Sequence, residues 1–335
     1  MSTVIRPLKP SAPNLLITCR GPGAVAIPRD PGRTWDSLEL YFDEAHASKE
    51  IPRSLADGIV FDPDRTRRKL GVLAALARAG SMPEIWTYDR VCIADDDVSP
   101  VGCTFADVFR LFERLEDSTG AQIGQAALTS DSYVCHSHTK RDPRFVWRSV
   151  NFVEVMAPIF TRAALARYAS FFGETVMCWG FDSVWSAREL RAGRPLVILD
   201  ATPLRHSRPL YSGVAYRNLT ESPHDEGLAF MARHGVRPVP SYAFGGVDAF
   251  GRWSGAFRCD APVAARAQEC AAAPRWTCVW RRRRGFVCDR HRALVESVAI
   301  AERTSCQLTL LEPWELAAMH DPRISRGEKG KSDAA

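Results

Sequence analysis

Apolar residues in this chain gather in short dense runs, each closed by glycine, proline or acidic punctuation. Asn14-Leu15-Leu16-Ile17-Thr18 reads as a buried strand, broken by Arg20-Gly21-Pro22-Gly23. Trp35 to Asp43 alternates at Leu38, Leu40 and Phe42, which predicts a second strand. Gly58-Ile59-Val60-Phe61 is a third, stopped by Asp62-Pro63-Asp64. Arg90 to Ala94 is a fourth and runs straight into Asp95-Asp96-Asp97. Gln122 to Ala127 and Leu196 to Leu199 complete the set, the last ending at Asp200. Phe152 to Phe160 is apolar throughout, apart from one carboxylate, and threads the core.

Helical spacing appears between these runs. Arg65 to Arg78 carries an apolar stripe of Leu70, Leu73, Leu76 and Ala77, with Gly80 as its stop. Thr104 to Leu115, Arg162 to Phe172 and Phe181 to Leu190 are the other helices of this part. Strands alternating with helices predict an α/β fold, a mixed but mostly parallel sheet flanked by helices. Ligands bind such sheets beyond the carboxyl ends of the strands, where Asp95 to Asp97 fall.

The pattern changes near Tyr216. Residues 221 to 257 carry proline, glycine and scattered aromatics with little periodicity, while Cys259 to Ala273 and Asp289 to Arg303 read as helices. We therefore divide the chain into a catalytic domain at 13–215, a smaller, mainly helical or irregular extension at 216–323 and a disordered polar tail at 324–335. Tyr242 to Gly246 reads as a lid or as an ordinary surface loop.

Composition changes little in this picture. The 335 residues are 46% hydrophobic and 25% charged, ordinary for a globular protein, and the net charge of +5 suits an anionic ligand without specifying nucleic acid. No run approaches the ~18 apolar residues of a membrane span. Residues 1 to 12 lack the apolar run of a signal peptide. The ten cysteines include no CxxC pair, so they read as reduced thiols and the compartment as cytoplasmic. Cys270, Cys278, Cys288 and His291 match no standard zinc spacing.

Three adjacent carboxylates at a strand end repel one another, and a divalent cation relieves that repulsion while linking them to phosphate oxygens. Alternate positions of an extended segment share a side, so Asp95 and Asp97 can share a cation while Asp96 points elsewhere. A solvated acidic turn is the plainer reading. A strand followed by Asp-x-Asp also suits a phosphatase of the haloacid dehalogenase type, with Asp95 as nucleophile, although a later Gly-Asp-x-x-x-Asp is absent. Glu154, inside the apolar run, needs a partner or a raised pKa, and is a candidate base or sugar ligand.

The order of motifs narrows the choice. Asp95-Asp96-Asp97 is followed by Gln125-Ala126-Ala127-Leu128-Thr129, then Asn151 to Phe160 (NFVEVMAPIF), Trp179-Gly180-Phe181-Asp182 and Asp200 to Pro209 (DATPLRHSRP). This ordered set resembles a family of bacterial and plant proteins of unknown function, itself similar to GT-A-type nucleotide-sugar glycosyltransferases. The resemblance covers roughly the first two-thirds of the chain. It departs at Ala126, where the family has proline, at His138-Thr139-Lys140 and at Cys19 to Pro22. It implies a GT-A-like (Rossmann-like) domain that transfers sugar from a nucleotide-diphosphate-sugar to a glycan or other hydroxyl acceptor. In that frame Asp95, Asp97 and His206 hold Mn²⁺ or Mg²⁺, and Asp96 contacts the ribose. Asp182 is the general base, with Glu154 as the alternative, and Trp179 offers a face to a sugar. Lys69, Arg20 and Arg65 serve the uracil or diphosphate end, and Arg208 neutralises the leaving diphosphate. His136 and His138 fall in a possible acceptor loop. A non-catalytic nucleotide-binding module is the remaining alternative.

Arg281 to Arg284, between Trp280 and Phe286, form a basic aromatic run suited to an anionic acceptor or a membrane surface; no nucleic-acid recognition motif accompanies it.

Overall fold

The computed structural model describes residues 2–27, 32–64, 68–212, 216, 219, 221–238, 240–255, 276–280, 283–287 and 306–310; from residue 253 onward only the backbone is described. The first half holds β1 (Thr3–Arg6), β2 (Asn14–Arg20), β3 (Trp35–Tyr41), α1 (Glu44–Glu50), β4 (Gly58–Phe61), α2 (Lys69–Arg78), β5 (Arg90–Ala94), β6 (Val98–Pro100), α3 (Phe105–Thr119) and β7 (Ile123–Leu128). Then follow β8 (Trp147–Val150), β9 (Pro158–Thr161), α4 (Arg162–Tyr168), α5 (Phe181–Arg191), β10 (Leu196–His206), α6 (Pro223–Arg233), β11 (Ala243–Val247) and β12 (Trp253–Gly255).

Twelve strands form one sheet in the order β1-β4-β3-β2-β5-β9-β7-β10-β8-β11-β12, with β6 on the outer half of β10. The β2–β3, β3–β4, β2–β5 and β7–β10 pairs are parallel. The remaining pairs, including both flanks of β9, are antiparallel. The sheet is therefore mixed, as expected, but antiparallel pairings outnumber parallel ones, which corrects the expectation that it is mostly parallel. A fully buried strand reads as the same apolar run in either direction, so the sequence carries no sign of the reversals.

Side-chain alternation splits the core in two. Leu15 and Ile17 of β2, Val91 and Ile93 of β5, and Leu196 and Ile198 of β10 pack with α2, α4, α5 and α6. Their neighbours Leu16, Cys92, Ala94, Val197 and Leu199 pack on the other face with α3. This is a layered α/β body. Helix α3 is the most sharply bounded element: Thr104 and Asp107 form a reciprocal capping box, and Gly120 closes the helix at φ 77°. The helix predicted at Arg162 to Phe172 is shorter than expected, ending at Tyr168 with 169–171 winding into a 3₁₀ turn.

Elements beyond residue 215 continue this body. Helix α6 buries Phe230 against Phe181 of α5, ring centres 4.5 Å apart. Strand β11 pairs with β8, so Tyr242 to Gly246 leads into a sheet strand rather than a lid or a surface loop. Further on, β13 (Trp276–Trp280), β14 (Arg283–Val287) and β15 (Cys306–Leu310) form a three-stranded antiparallel sheet. Beyond α6, the described part of the extension is thus β rather than helical. The helices expected at 259–273 and 289–303, the tail at 324–335, and Cys270, Cys288 and His291 lie outside the described residues.

Candidate functional site

Strands β2 and β5 end side by side, and the chain beyond β5 is pinned at each aspartate. Asp95 N–H donates to the Met156 carbonyl (2.9 Å), the Asp96 carbonyl accepts from Val25 N–H (2.7 Å), and the Asp97 carbonyl accepts from Ser207 N–H (3.0 Å). Three separate segments thus fix the triad. Strand β10 shifts register against β7 between Leu199 and Leu204, and its outer half runs beside β6 with His206 opposite Val98. That bend carries His206 and Arg208 to the aspartates.

Each aspartate has a basic partner, and Arg208 lies near both Asp96 and Asp97. Lys69, the first residue of α2, donates from Nζ to Asp95 Oδ1 (2.9 Å) and to the carbonyls of Val155 and Met156 (2.5 and 3.0 Å). All three ammonium protons are thereby used. Lys69 works here by holding Asp95 through one carboxylate oxygen. Burial alone would lower the Lys69 pKa, but the Asp95 charge beside it raises it overall. Asp96 Oδ2 accepts from Gly21 N–H (2.8 Å) and Oδ1 lies 3.3 Å from Arg208 Nη2. Burial raises the Asp96 pKa to about 6 against the pull of Arg208. Gly21 must be small, since a Cβ there would lie 2.7 Å from the Phe42 ring and 3.3 Å from Asp96 Oδ2.

Asp97 meets His206, with Oδ2 3.1 Å from Nε2. The other ring nitrogen, Nδ1, lies 2.7 Å from the Tyr133 carbonyl, which can only accept. Nδ1 therefore carries a proton, and Nε2 faces the carboxylate. Burial pulls the His206 pKa down, but the Asp97 hydrogen bond and charge outweigh it and raise it. Asp97 is buried, and its Oδ1 has no hydrogen-bond partner.

Among the described residues no three His, Cys, Asp or Glu side chains converge as a complete metal cage. The Asp97–His206 pair nevertheless fits two ligands of one ion. Neighbouring ligands of an octahedral ion with bonds of about 2.1 Å lie on the order of 3 Å apart, and an imidazole whose far N–H is held by a carbonyl is the usual ligand arrangement. The unpartnered Asp97 Oδ1 is a further donor.

These groups line one pocket of about 410 Å³. Asp95, Asp96, Asp97, Lys69, His206 and Arg208 line it together with Glu154, Trp179 and Asp182. Arg20 is not brought in: its guanidinium donates to the Val25 carbonyl (2.6 Å) and sits 3.5 Å from Glu39. Arg65 lies outside the described residues, while Arg68 stacks over Phe42 at 5.6 Å.

Asp182 occupies the first turn of α5, and its Oδ1 accepts from Ser183 N–H (2.9 Å). Burial raises its pKa to about 6, against the backbone amides of Ser183 and Val155. Glu154 follows β8 in an irregular stretch where its N–H donates to Gln125 Oε1 (2.5 Å) and its Oε2 is buried without a partner. Burial, reinforced by the charges of Asp182 and Asp95, pushes its pKa to about 8. His138 bonds the Phe152 carbonyl (3.0 Å) from a buried position and stands off the pocket, whereas His136 lines it beside Phe152 at 4.5 Å. Trp179 lies 5.7 Å from Tyr211, which meets Tyr216 edge-on at 5.5 Å.

Sequence reasoning missed Tyr133, Gly21, Phe152, Tyr211 and Tyr216. Tyr133 acts through a carbonyl that every residue possesses, so its side chain gives no signal. Gly21 was visible as a strand breaker, but not as a donor to a residue 75 positions away.

No family model and no curated protein matches the chain. Among solved structures, a crystal structure of GalNAc-T7 with UDP, GalNAc and Mn²⁺ is similar over 66% of this chain and 48% of that one, at 8% identity and a TM-score of 0.47. The chain thus spans about half the length of that protein. A structure of S. aureus TarS in complex with UDP is similar over 66% of this chain and 71% of that one, at 10% identity and a TM-score of 0.36. Likeness at this level assigns no role to an individual residue.

Proposed function

We propose that this chain is a metal-dependent glycosyltransferase of the GT-A type, moving a sugar from a nucleotide-diphosphate-sugar to an acceptor hydroxyl. The observation that carries the reading is the Asp97–His206 pair, 3.1 Å apart, its imidazole oriented by Tyr133 and its Asp97 Oδ1 unpartnered. Asp97 and His206 would hold Mn²⁺ or Mg²⁺, with Asp95 held close by Lys69. When bound there, the ion would supply charge stabilisation to a departing nucleoside diphosphate. Arg208, whose Nη2 is 3.3 Å from Asp96 Oδ1, adds positive charge at the same place. Asp96 would accept a ribose hydroxyl beside the Gly21 N–H and Arg208 it already holds.

Asp182 is the base in this reading. With a pKa near 6 it is ionised at neutral pH yet basic enough to take the acceptor proton. The acceptor oxygen attacks the anomeric carbon, the bond to the diphosphate breaks, and the proton passes to Asp182. A single displacement of this kind inverts the anomeric centre. Glu154, with a pKa of about 8, is mostly protonated at neutral pH and suits hydrogen-bond donation better than proton abstraction. Trp179 borders the acceptor end of the pocket.

The test is nucleoside diphosphate release from a panel of nucleotide-sugars with Mn²⁺. Asp182→Asn should lower kcat at least ~10²-fold while nucleotide affinity stays within about threefold. Unchanged kcat in that variant would remove Asp182 as the base. Hydrolysis of simple phosphoesters with no nucleotide-sugar turnover would replace the reading with a phosphatase one.

A further inference from the structure

The carboxylates of the pocket are unevenly compensated. Asp95 meets Lys69 at 2.9 Å, Asp96 meets Arg208 at 3.3 Å and Asp97 meets His206 at 3.1 Å. Glu154 and Asp182 line the same pocket, and neither forms an ion pair among the described residues. Glu154 is only 4% exposed, and its Oε2 has no hydrogen-bond partner. Asp182 is 9% exposed, and its carboxylate is held by backbone amides, the Ser183 N–H at 2.9 Å among them. The charges of Lys69 and His206 reach Glu154, and that of Lys69 reaches Asp182, but neither carboxyl is directly paired, and two buried carboxyls without an ion-pair partner are unfavourable in the resting protein. Such an arrangement is rational where the missing charge arrives with a ligand. The neighbouring wall includes the rings of Phe152, Trp179 and Tyr216, whose faces attract cations.

We propose that this end of the pocket binds an acceptor carrying a protonated amine close to its reactive hydroxyl, an amino sugar or amino alcohol, with the ammonium on Glu154 and the hydroxyl on Asp182. The inference rests on the glycosyltransferase reading only in naming the ligand an acceptor; the subsite itself follows from the uncompensated carboxyls. In the free protein Glu154 holds its proton through much of the neutral range, because burial raises its pKa to about 8. An arriving ammonium favours the ionised form, so binding releases up to one proton to solvent. A neutral polyol offers no such exchange. It would instead take a hydrogen bond from protonated Glu154 and bind without proton release.

Isothermal titration of the full-length protein near pH 7, in two buffers of different ionisation enthalpy, separates the two cases. The probes are glucosamine, galactosamine and mannosamine, each against its hydroxyl and N-acetyl counterparts, with and without uridine diphosphate and Mn²⁺. At least one free amine should bind tenfold or more tightly than both counterparts, with proton release. In Glu154→Gln, shown to be folded by circular dichroism, the preference should fall below threefold. Equal or tighter binding of the neutral sugars, binding of none of the nine, or an undiminished preference in Glu154→Gln would overturn the proposal. Stabilisation by nucleotide, read on the same samples, keeps the two claims apart. If it persists while the amine preference fails, only the cationic subsite falls. If the amine preference appears without any nucleotide response, the subsite stands and the glycosyltransferase reading falls.

Discussion

His206 is aimed by a residue whose side chain takes no part. The Tyr133 carbonyl, 2.7 Å from Nδ1, fixes the tautomer, and Ser132 Oγ accepts from the His206 backbone N–H at 3.1 Å. An imidazole held this way needs no reorganisation to offer Nε2 to an ion. His206→Ala should weaken Mn²⁺ binding at least ~10-fold, measured by titration of the ion against intrinsic fluorescence; unaltered affinity would remove His206 from the ligand set. Glu154 carries a pH signature of its own. Its ordinary pKa of 4.5 rises to about 8 on folding, so the folded chain keeps a proton that the unfolded chain gives up. Stability linked to this group is fully present below pH 4.5 and is lost as pH rises toward 8. Glu154→Gln removes that loss. Its advantage over wild type in urea unfolding should grow from pH 5 to pH 8, reaching roughly 2–4 kcal/mol. An advantage that is flat with pH would contradict the buried, uncompensated carboxyl.

At the scale of elements, the site depends on how two segments turn. Gly180 caps α5 at φ 84°, and a Cβ on it would meet the Gly227 carbonyl of α6 at 2.7 Å. The turn, the α5–α6 contact and the aim of Asp182 are thus one feature. Gly180→Ala should lower stability by about 2–4 kcal/mol and reduce turnover as Asp182 shifts, read by thermal unfolding and by kcat. A variant as stable and active as wild type would contradict the close packing. These elements were unequally legible in the sequence. Helix α3 could be read from its period and its Thr104 cap, and β4 and β5 match their apolar runs to the residue. Strand β10 could be read only as far as Leu199, because its outer half, through Asp200, Thr202 and Arg205, is held by pairing with β6 and not by an apolar pattern. Helix α6 was missed because its apolar face amounts to little more than Phe230 and Met231, with Gly227 chosen for contact with Trp179.

Across the whole molecule, the layered α/β plan was visible as alternating strand and helix patterns, whereas strand direction was not. Strand β9 enters antiparallel between β5 and β7, and the return places Val155 and Met156 over Lys69. The proximity of Lys69 to Asp95 is a product of that topology, which explains why the sequence suggested a phosphate contact and the structure gives an ion pair. Among the described residues no helix is long and apolar enough to cross a membrane. Arg281 and Arg282 lie outside the described residues, and Arg283 and Arg284 begin β14.

A ligand that binds only the folded protein raises its stability, by about 2.7 kcal/mol at a hundredfold excess over Kd. The most direct measurement is therefore thermal unfolding of wild type and Asp97→Ala with nucleoside diphosphates, in the presence and absence of Mn²⁺. The account predicts a rise of at least about 4 °C with one nucleotide, dependent on the metal and lost in Asp97→Ala. No rise with any nucleotide, or a rise that survives the loss of Asp97, would contradict it.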